Sequence, residues 1–135
     1  PNTFQNMCKL KHLDLSNNSI KNIQQGAFFN LTQLEYLNIS NNKLKILDLK
    51  VLESLYQLKE LILSNNSIDT LEKNQFENFK TLESLDLSEN KLGFLDKDIF
   101  KGLDNLIELE LYGNQLTFEQ TVKPFAYLKN LEKLD

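Results

Sequence analysis

The residues best suited to chemistry are one cysteine, one histidine and a closely spaced pair of glutamates. Cys8 precedes His12 by four residues, and Glu108 and Glu110 alternate with leucines. A nucleophilic cysteine needs a neighbouring base and a lowered thiol pKa, whereas a glycosidase-like carboxylate pair needs a pocket between its two members. We expect His12 to point away from Cys8, and the two glutamates to share one open strand face. The chain is therefore predicted to have no catalytic residue and not to be an enzyme.

The same small inventory argues against metal, cofactor and polyanion sites. A single cysteine cannot form an internal disulfide, and a single histidine cannot hold a metal by itself. A net charge of -4, from 15 lysines against 19 acidic residues, disfavours nucleic acid as a partner. The apolar runs fall far short of the roughly 20 residues that cross a bilayer. We expect no metal, no cofactor and no membrane contact by this segment, with any targeting signal lying elsewhere.

The elements that position these side chains come from a repeat of 24 residues. The stretch "LDLSNNSIKNI" (13–23) returns as "LNISNNKLKIL" (37–47), "LILSNNSIDTL" (61–71), "LDLSENKLGFL" (85–95) and "LELYGNQLTFE" (109–119). Alternating leucines predict a short strand with one buried face. The rest of each unit is long enough to return to a parallel neighbour and too long for a hairpin. The repeat therefore predicts a coil of parallel strands in a chain of 135 residues with 41% hydrophobic content.

One asparagine follows the strand in every unit. A coil turns sharply after each strand, and neighbouring turns shield its backbone groups from water. An asparagine amide carries donors and an acceptor, so one side chain can satisfy backbone groups on adjacent turns. We predict a structural ladder formed by Asn18, Asn42, Asn66, Asn90 and Asn114.

The pattern L-x-x-L-x-L-x-x-N-x-L-x-x-L-x-x-x-x-F-x-x-L resembles the leucine-rich repeat family, in its 24-residue class. Toll-like receptor ectodomains, small proteoglycans and insect immune repeat proteins are similar. The resemblance implies an α/β solenoid, with a curved parallel sheet on the concave side and short helical or irregular crossovers on the convex side. Two departures stand out. Leu52 replaces a phenylalanine, and Glu119 replaces a leucine in a unit with one extra residue, so an outward bulge is expected at 117–125.

The chain reads as one solenoid segment, residues 1–135. The tail of a unit covers 1–9, units 1 to 5 cover 10–33, 34–57, 58–81, 82–105 and 106–130, and a further unit begins at 131–135. Neither end carries the disulfide-rich cap that is usual in extracellular members of the family. We therefore expect a piece of a longer solenoid, or end-to-end self-association through open edges.

Four N-x-S/T sequons indicate that the chain is extracellular, because such sequons are glycosylated only in a secreted chain. Asn30 is the preferred candidate because it falls in a crossover, whereas a sugar on Asn38 would obstruct the concave sheet. The predicted glycosylation sites are Asn17, Asn30, Asn38 and Asn65. An extracellular or cell-surface location is favoured, and the lone Cys8 supports the intracellular alternative.

Ligand contacts should fall on variable positions, because the fold uses the leucines and asparagines. Strand alternation is expected to point three columns outward on the concave side, including a serine column of Ser16, Ser40, Ser64, Ser88 and, in the fifth unit, Tyr112. Acidic residues dominate the other columns, while lysines favour the flanks. The predicted partner-binding residues are Tyr36, Glu60, Ile62, Asp86, Glu108, Glu110 and Tyr112. The resemblance implies non-enzymatic recognition of a protein or other macromolecule in immune sensing or adhesion. An intracellular repeat scaffold and a structural or dimerising spacer are the alternatives.

Overall fold

The protein is a coil of six parallel strands in one sheet. The computed structural model describes residues 3–4, 6–119 and 121–135. The strands are β1 (His12–Asp14), β2 (Tyr36–Asn38), β3 (Glu60–Ile62), β4 (Ser84–Asp86), β5 (Glu108–Glu110) and β6 (Lys133–Leu134). Each strand pairs with the next in sequence order. The predicted solenoid is confirmed.

The register of the sheet follows the repeat. Leu37 pairs with Leu61, and Leu61 with Leu85, so residues 24 positions apart in the sequence are neighbours across the strands. The central leucine of β2 to β5 is fully buried, while its two flanking residues are half-buried. Each of these four strands thus buries one face and leaves the other open, as the alternation predicted.

The crossovers are chains of tight turns with little helix. Phe29 donates its backbone N–H to the carbonyl of Gly26, and Leu31 donates to Phe28, in turns that recur along the coil. Among the described residues one helix forms, a 3-10 helix at Leu49–Leu52, in the unit that has leucine in place of phenylalanine. No helix in the described part of the chain has the length and apolarity to cross a membrane.

Phenylalanines stack along the convex side of the core. Phe100 lies 6.2 Å from Phe76 and 5.9 Å from Phe125, measured between ring centroids. Phe28 stacks on Phe4 at 6.1 Å, and Leu52 interrupts the series between Phe28 and Phe76. The irregular fifth unit keeps this packing, because Phe125 still reaches the stack. Glu119 is exposed, and the predicted bulge at 117–125 includes Gln120, which lies outside the described residues.

Candidate functional site

The turn that follows each of the strands β1 to β5 contains a residue with a left-handed backbone. Its φ is +56° at Asn17, +54° at Asn41, +50° at Asn65 and +51° at Glu89, and Gly113 takes φ +68° in the fifth unit. Asparagine and glycine tolerate this conformation better than other residues. The first asparagine of each "NN" pair therefore has a backbone role, which the predicted ladder, built on the second asparagine, does not include. Gly113 in the same column was the signal for it in the sequence.

Glu89 is the member of this column least suited to its conformation. We predict that Glu89→Asn stabilises the protein by about 0.5 to 1 kcal/mol, because asparagine costs less strain at positive φ. Thermal or urea denaturation would measure the gain. The reverse change at the equivalent position, Asn65→Glu, should destabilise by a similar amount, and equal stability of all three proteins would contradict the strain argument.

The second asparagine of the pair joins adjacent turns through its amide. Asn66 accepts the backbone N–H of Leu44, 2.9 Å away in the preceding unit. Its amide nitrogen donates to the carbonyl of Ile39 in that unit at 3.0 Å, and to Leu63 and Ser64 in its own turn. Asn42 and Asn90 make the equivalent bonds one unit earlier and later. These three side chains are buried and stacked, so they satisfy backbone groups that water does not reach.

The two outer members of the ladder differ in burial. Asn114 is half-buried and still bonds both its own turn and the carbonyl of Leu87. Asn18 is exposed, and its amide donates to the carbonyls of Leu15 and Ser16 in its own turn. Asn42, Asn66, Asn90 and Asn114 therefore bridge to the preceding repeat unit, whereas the described bonds of Asn18 stay within its own unit.

The open sheet surface carries two rows of variable side chains, which we call the concave face. Strand pairing places Tyr36, Glu60, Ser84, Glu108 and Lys133 in one row, and Asp14, Asn38, Ile62, Asp86 and Glu110 in the other. The His12 and Tyr36 rings lie 5.5 Å apart at the start of the first row. The structure thus brings six of the proposed contact residues onto one sheet, and Tyr112 lies exposed just after β5.

Two members of the serine column, Ser40 and Ser88, were wrongly expected to point into solvent, whereas Ser16 and Ser64 are half-buried and Tyr112 is exposed. Ser88 is 0% exposed and Ser40 is 6% exposed, because the strand ends before this column and the chain already turns there. The Ser88 hydroxyl lies 2.6 Å from an oxygen of Asp86, which also accepts the Ser88 backbone N–H. Ser40 donates its backbone N–H to Asn38 in the same way. Ser40 and Ser88 therefore belong to the turn and are not available for binding.

Hydrogen bonds in this turn also involve side chains that were predicted to bind a partner or to carry a sugar. One oxygen of Asp86 accepts both the backbone N–H and the hydroxyl of Ser88. The amide oxygen of Asn38 likewise accepts Ser40, on a residue proposed as a glycosylation site. Hydrogen bonds from the Ser16 side chain and then from the Ser16 backbone N–H hold the pKa of the Asp14 carboxyl below its usual value.

Two of the acidic contact candidates share one lysine of a neighbouring strand, which offsets part of their negative charge. Lys133 of β6 forms ion pairs with both Glu108 and Glu110 of β5, the second at 2.9 Å. Hydrogen bonds to Glu108 and Glu110 raise the pKa of Lys133 above its ordinary value. The expected acidic surface is therefore weaker at this end of the sheet, and Glu60 and Asp86 carry the negative charge of its centre.

A row of alternating charge borders the concave face where the strands begin. Glu35 accepts from Lys11 at 2.7 Å and lies 3.0 Å from Lys59, so it bridges two turns. Hydrogen bonds from Lys11 and then Lys59 lower the pKa of the Glu35 carboxyl from 4.5 to about 2. This row was not among the predicted features, although the alternation of Lys11, Glu35, Lys59 and Glu83 at one repeat position was its signal.

The Glu35 pairs should make stability depend on pH in the acid range. Because the folded pKa lies below the ordinary 4.5, the stabilisation is complete above about pH 4.5 and is lost as the pH falls towards 2. Wild type should therefore be more stable than Glu35→Gln at pH 7, and the difference should vanish near pH 2. Urea denaturation at the two pH values measures this, and a difference that does not change with pH would contradict the pairing. Carbon-13 NMR of the carboxyl should show its titration midpoint rising towards 4.5 when Lys11 and Lys59 are both replaced by Gln.

The predicted glycosylation sites fall in different environments. Asn17 and Asn65 are exposed, and Asn65 donates its amide N–H to Asn41. Asn30 is half-buried at φ +71°, and Asn38 is half-buried on the concave face. Cys8 is exposed and carries a free thiol.

The stacked turns, the asparagine ladder and the single open sheet define a leucine-rich repeat solenoid. The sequence profile described as "Leucine rich repeat" matches residues 1–44, 36–92, 57–116 and 80–135, and the chain belongs to this family. Leucine-rich repeat domains are typically non-enzymatic modules that bind proteins. No curated protein sequence gives a significant match to this chain.

Solved structures with the same fold include bacterial surface proteins and receptor ectodomains. Internalin inlF of Listeria monocytogenes str. 4b F2365 is 31% identical with a TM-score of 0.76, over 96% of this chain and 36% of that chain. TLR13, solved in a complex with ssRNA13, is 30% identical with a TM-score of 0.80, over 96% of this chain and 21% of that chain. The FLRT2 repeat domain, solved in an octameric complex with Latrophilin 3 and Unc5D, is 30% identical with a TM-score of 0.81, over 94% and 39% of the two chains. These neighbours are extracellular or surface proteins, and the chain spans well under half of each.

Proposed function

We propose that this chain is a segment of an extracellular leucine-rich repeat ectodomain that recognises a protein ligand in immune sensing or adhesion. The concave face carries the proposal, because it is the one sheet surface on which the repeat leaves side-chain identity free. The extracellular and surface repeat proteins with the same fold, and the FLRT2 domain held in a complex with other proteins, support it.

The centre of recognition is proposed at Tyr36 and Ile62. Glu60 is directly paired with Tyr36, and Ile62 lies on the same strand as Glu60, between Asn38 and Asp86 in its own row. This arrangement sets aromatic and aliphatic surface beside Glu60 and Asp86. Aromatic anchors surrounded by polar groups are typical of residues that dominate binding energy. A partner with an apolar centre and nearby basic groups would be complementary in both shape and charge.

The size of the face sets how the partner binds. Six strands about 4.8 Å apart span about 24 Å, and the exposed height of each strand is about 12 Å. The resulting area of roughly 300 Å² is below the roughly 800 Å² that each partner contributes to a standard interface. A tight partner must therefore also contact Tyr112, the flanks or further turns of the parent protein.

A binding screen tests this assignment. The chain, displayed as a multivalent probe, would be screened against a library of extracellular proteins, and any binder measured by surface plasmon resonance. Tyr36→Ala and Ile62→Asp should each weaken binding by at least about tenfold. Tyr56→Ala is the matched control, because Tyr56 is 62% exposed and lies outside the concave face. Unchanged affinity of the Tyr36 and Ile62 variants would overturn the assignment of this face.

Location is tested separately by mass spectrometry of protein from a secretory host. A sugar on Asn17, Asn30 or Asn65 would support the extracellular assignment, and a sugar on Asn38 would argue against ligand binding at the concave face. The second candidate, an intracellular repeat scaffold, is favoured by the exposed thiol of Cys8. Complete absence of sugar from all four sequons would favour that alternative.

A further inference from the structure

Apolar side chains line up on the flank that follows the strands, away from the concave face. Ile46, Phe94 and Phe118 are 67%, 50% and 58% exposed, and each occupies the same position of its repeat unit. Thr70 fills that position between Ile46 and Phe94, and Asn22 fills it in the first unit. We call Asn22, Ile46, Thr70, Phe94 and Phe118 the flank row. Its position is outside the consensus, so the fold does not require apolar residues there.

Backbone bonds hold the members of the flank row in register. Ile46 forms a parallel bridge with Thr70. One residue before the row, Thr117 donates its backbone N–H to the carbonyl of Gly93 at 3.0 Å. A single exposed apolar residue is ordinary. An aligned series of them on a rigid surface is typical of an interaction site.

Opposite charges border the flank row on its two sides. On the side nearer the strands lie the exposed lysines Lys43, Lys45 and Lys91, with Lys45 only 3.9 Å from Asp69 of the next unit. On the convex side, two residues beyond the row, lie Asp48, Glu72 and Asp96, and the exposed lysines Lys73 and Lys97 directly follow the last two. An occupant must therefore offer apolar groups between a line of carboxylates and a line of amines.

The flank row of a second copy of this chain offers such a surface, with apolar residues between lysines and carboxylates. A two-fold axis parallel to the row superposes the two apolar rows and sets the lysines of each copy opposite the carboxylates of the other, except that Asp69 comes opposite Glu72. Lys43 then faces Asp48, and Lys91 faces Asp96. A two-fold axis across the row would instead set lysine against lysine. We propose that the flank row is an isologous self-association surface whose two copies run in the same direction.

The expected dimer is weak in this segment alone. The five positions of the row on turns at least about 4.8 Å apart span roughly 20 Å, and the width from lysines to carboxylates is about 16 Å for five extended residues. The area per copy is then roughly 300 Å², well below the standard interface. The association should therefore appear only at high protein concentration, and should strengthen when further turns extend the row.

Sedimentation equilibrium up to about 1 mM protein tests the surface, a concentration suited to weak association. Protein from a bacterial host is used so that no sugar covers Asn65. Wild type should show reversible dimers, and Phe94→Asp should weaken them by at least tenfold. Phe29→Asp is the matched control, because Phe29 is 61% exposed and lies on the convex side. A monomeric wild type, or equal loss in both variants, would overturn the proposal, and dimers unaffected by Phe94→Asp would instead indicate association elsewhere, such as end to end.

Cysteine cross-linking tests the direction of the two copies. In a Cys8→Ser background, Asn22→Cys and Thr70→Cys are oxidised separately with copper phenanthroline. When the copies run in the same direction, every row residue faces its own counterpart, so both variants should form disulfide-linked dimers. In the opposite direction, Thr70 at the middle of the row would meet its counterpart but Asn22 at the end would not. Cross-linking of Thr70→Cys alone, or of neither variant, would overturn the proposed symmetry. This outcome is independent of ligand binding at the concave face, because the two surfaces share no residue.

Discussion

Phe100→Ala is expected to lower the free energy of unfolding by about 3 to 5 kcal/mol. The ring is fully buried and stacks between Phe76 and Phe125 at 6.2 and 5.9 Å. Its removal leaves a cavity where three successive turns meet, and each turn is held in place mainly by its neighbours. Urea denaturation followed by circular dichroism measures the loss.

The matched control is Phe29→Ala, one step along the chain from the buried Phe28. Phe29 is 61% exposed, so its truncation should change stability by less than about 0.5 kcal/mol. A loss below about 1 kcal/mol for Phe100→Ala, or equal losses in the two variants, would show that the phenylalanine stack does not hold the turns together.

Periodicity predicted the fold because the structure repeats the same environment at every unit. Leu37, Leu61 and Leu85 occupy one column in the sequence and one row in the core, so identical burial selects identical residues. The ladder is predictable for the same reason. Asn42, Asn66 and Asn90 each accept a backbone N–H of the preceding unit at the same repeat position. A feature set by the coil itself is therefore readable from one sequence.

Features that depend on backbone angles or on the length of a strand could not be predicted from the repeat period. Alternation alone placed Ser40 and Ser88 in solvent, because it assumes that the strand continues. Strands β2 and β4 end at Asn38 and Asp86, and these side chains accept the backbone N–H groups of Ser40 and Ser88, two residues further along the chain. The left-handed turn at Glu89 was hidden because its residue type is unusual for that conformation.

The charge of the concave face depends on ion pairs between side chains of neighbouring units. Counting acidic residues at each repeat position does not show these pairs. Glu108 and Glu110 count as two acids in the sequence, yet both lie against Lys133 one strand away. Glu35 likewise serves two lysines on the neighbouring turns. The flank row was missed for a related reason. Its position lies outside the consensus, and only the exposure of Ile46, Phe94 and Phe118 shows that at least half of each side chain lies outside the core, although the Phe118 ring contacts Phe125.

Asn66→Ala is expected to lower the free energy of unfolding by about 1 to 3 kcal/mol. The cost comes mainly from the Leu44 backbone N–H, which loses the Asn66 oxygen as its acceptor within a buried turn. The carbonyls suffer less, because Ile39 still accepts from Asn42 and Leu63 still accepts from Asn90. Chemical denaturation measures the loss, and hydrogen exchange should show faster exchange at the Leu44 amide.

Asn18→Ala provides the control within the same ladder. Asn18 is exposed, and its amide donates to carbonyls of its own turn, of which Leu15 also accepts from Asn42. Its removal should therefore cost less than about 0.5 kcal/mol, as is usual for an exposed substitution. Since both variants lose the same amide, the difference between them isolates the bond that crosses from one turn to the next. Equal losses at the two positions would mean that the asparagines act only within their own turns and that leucine packing alone joins the coil.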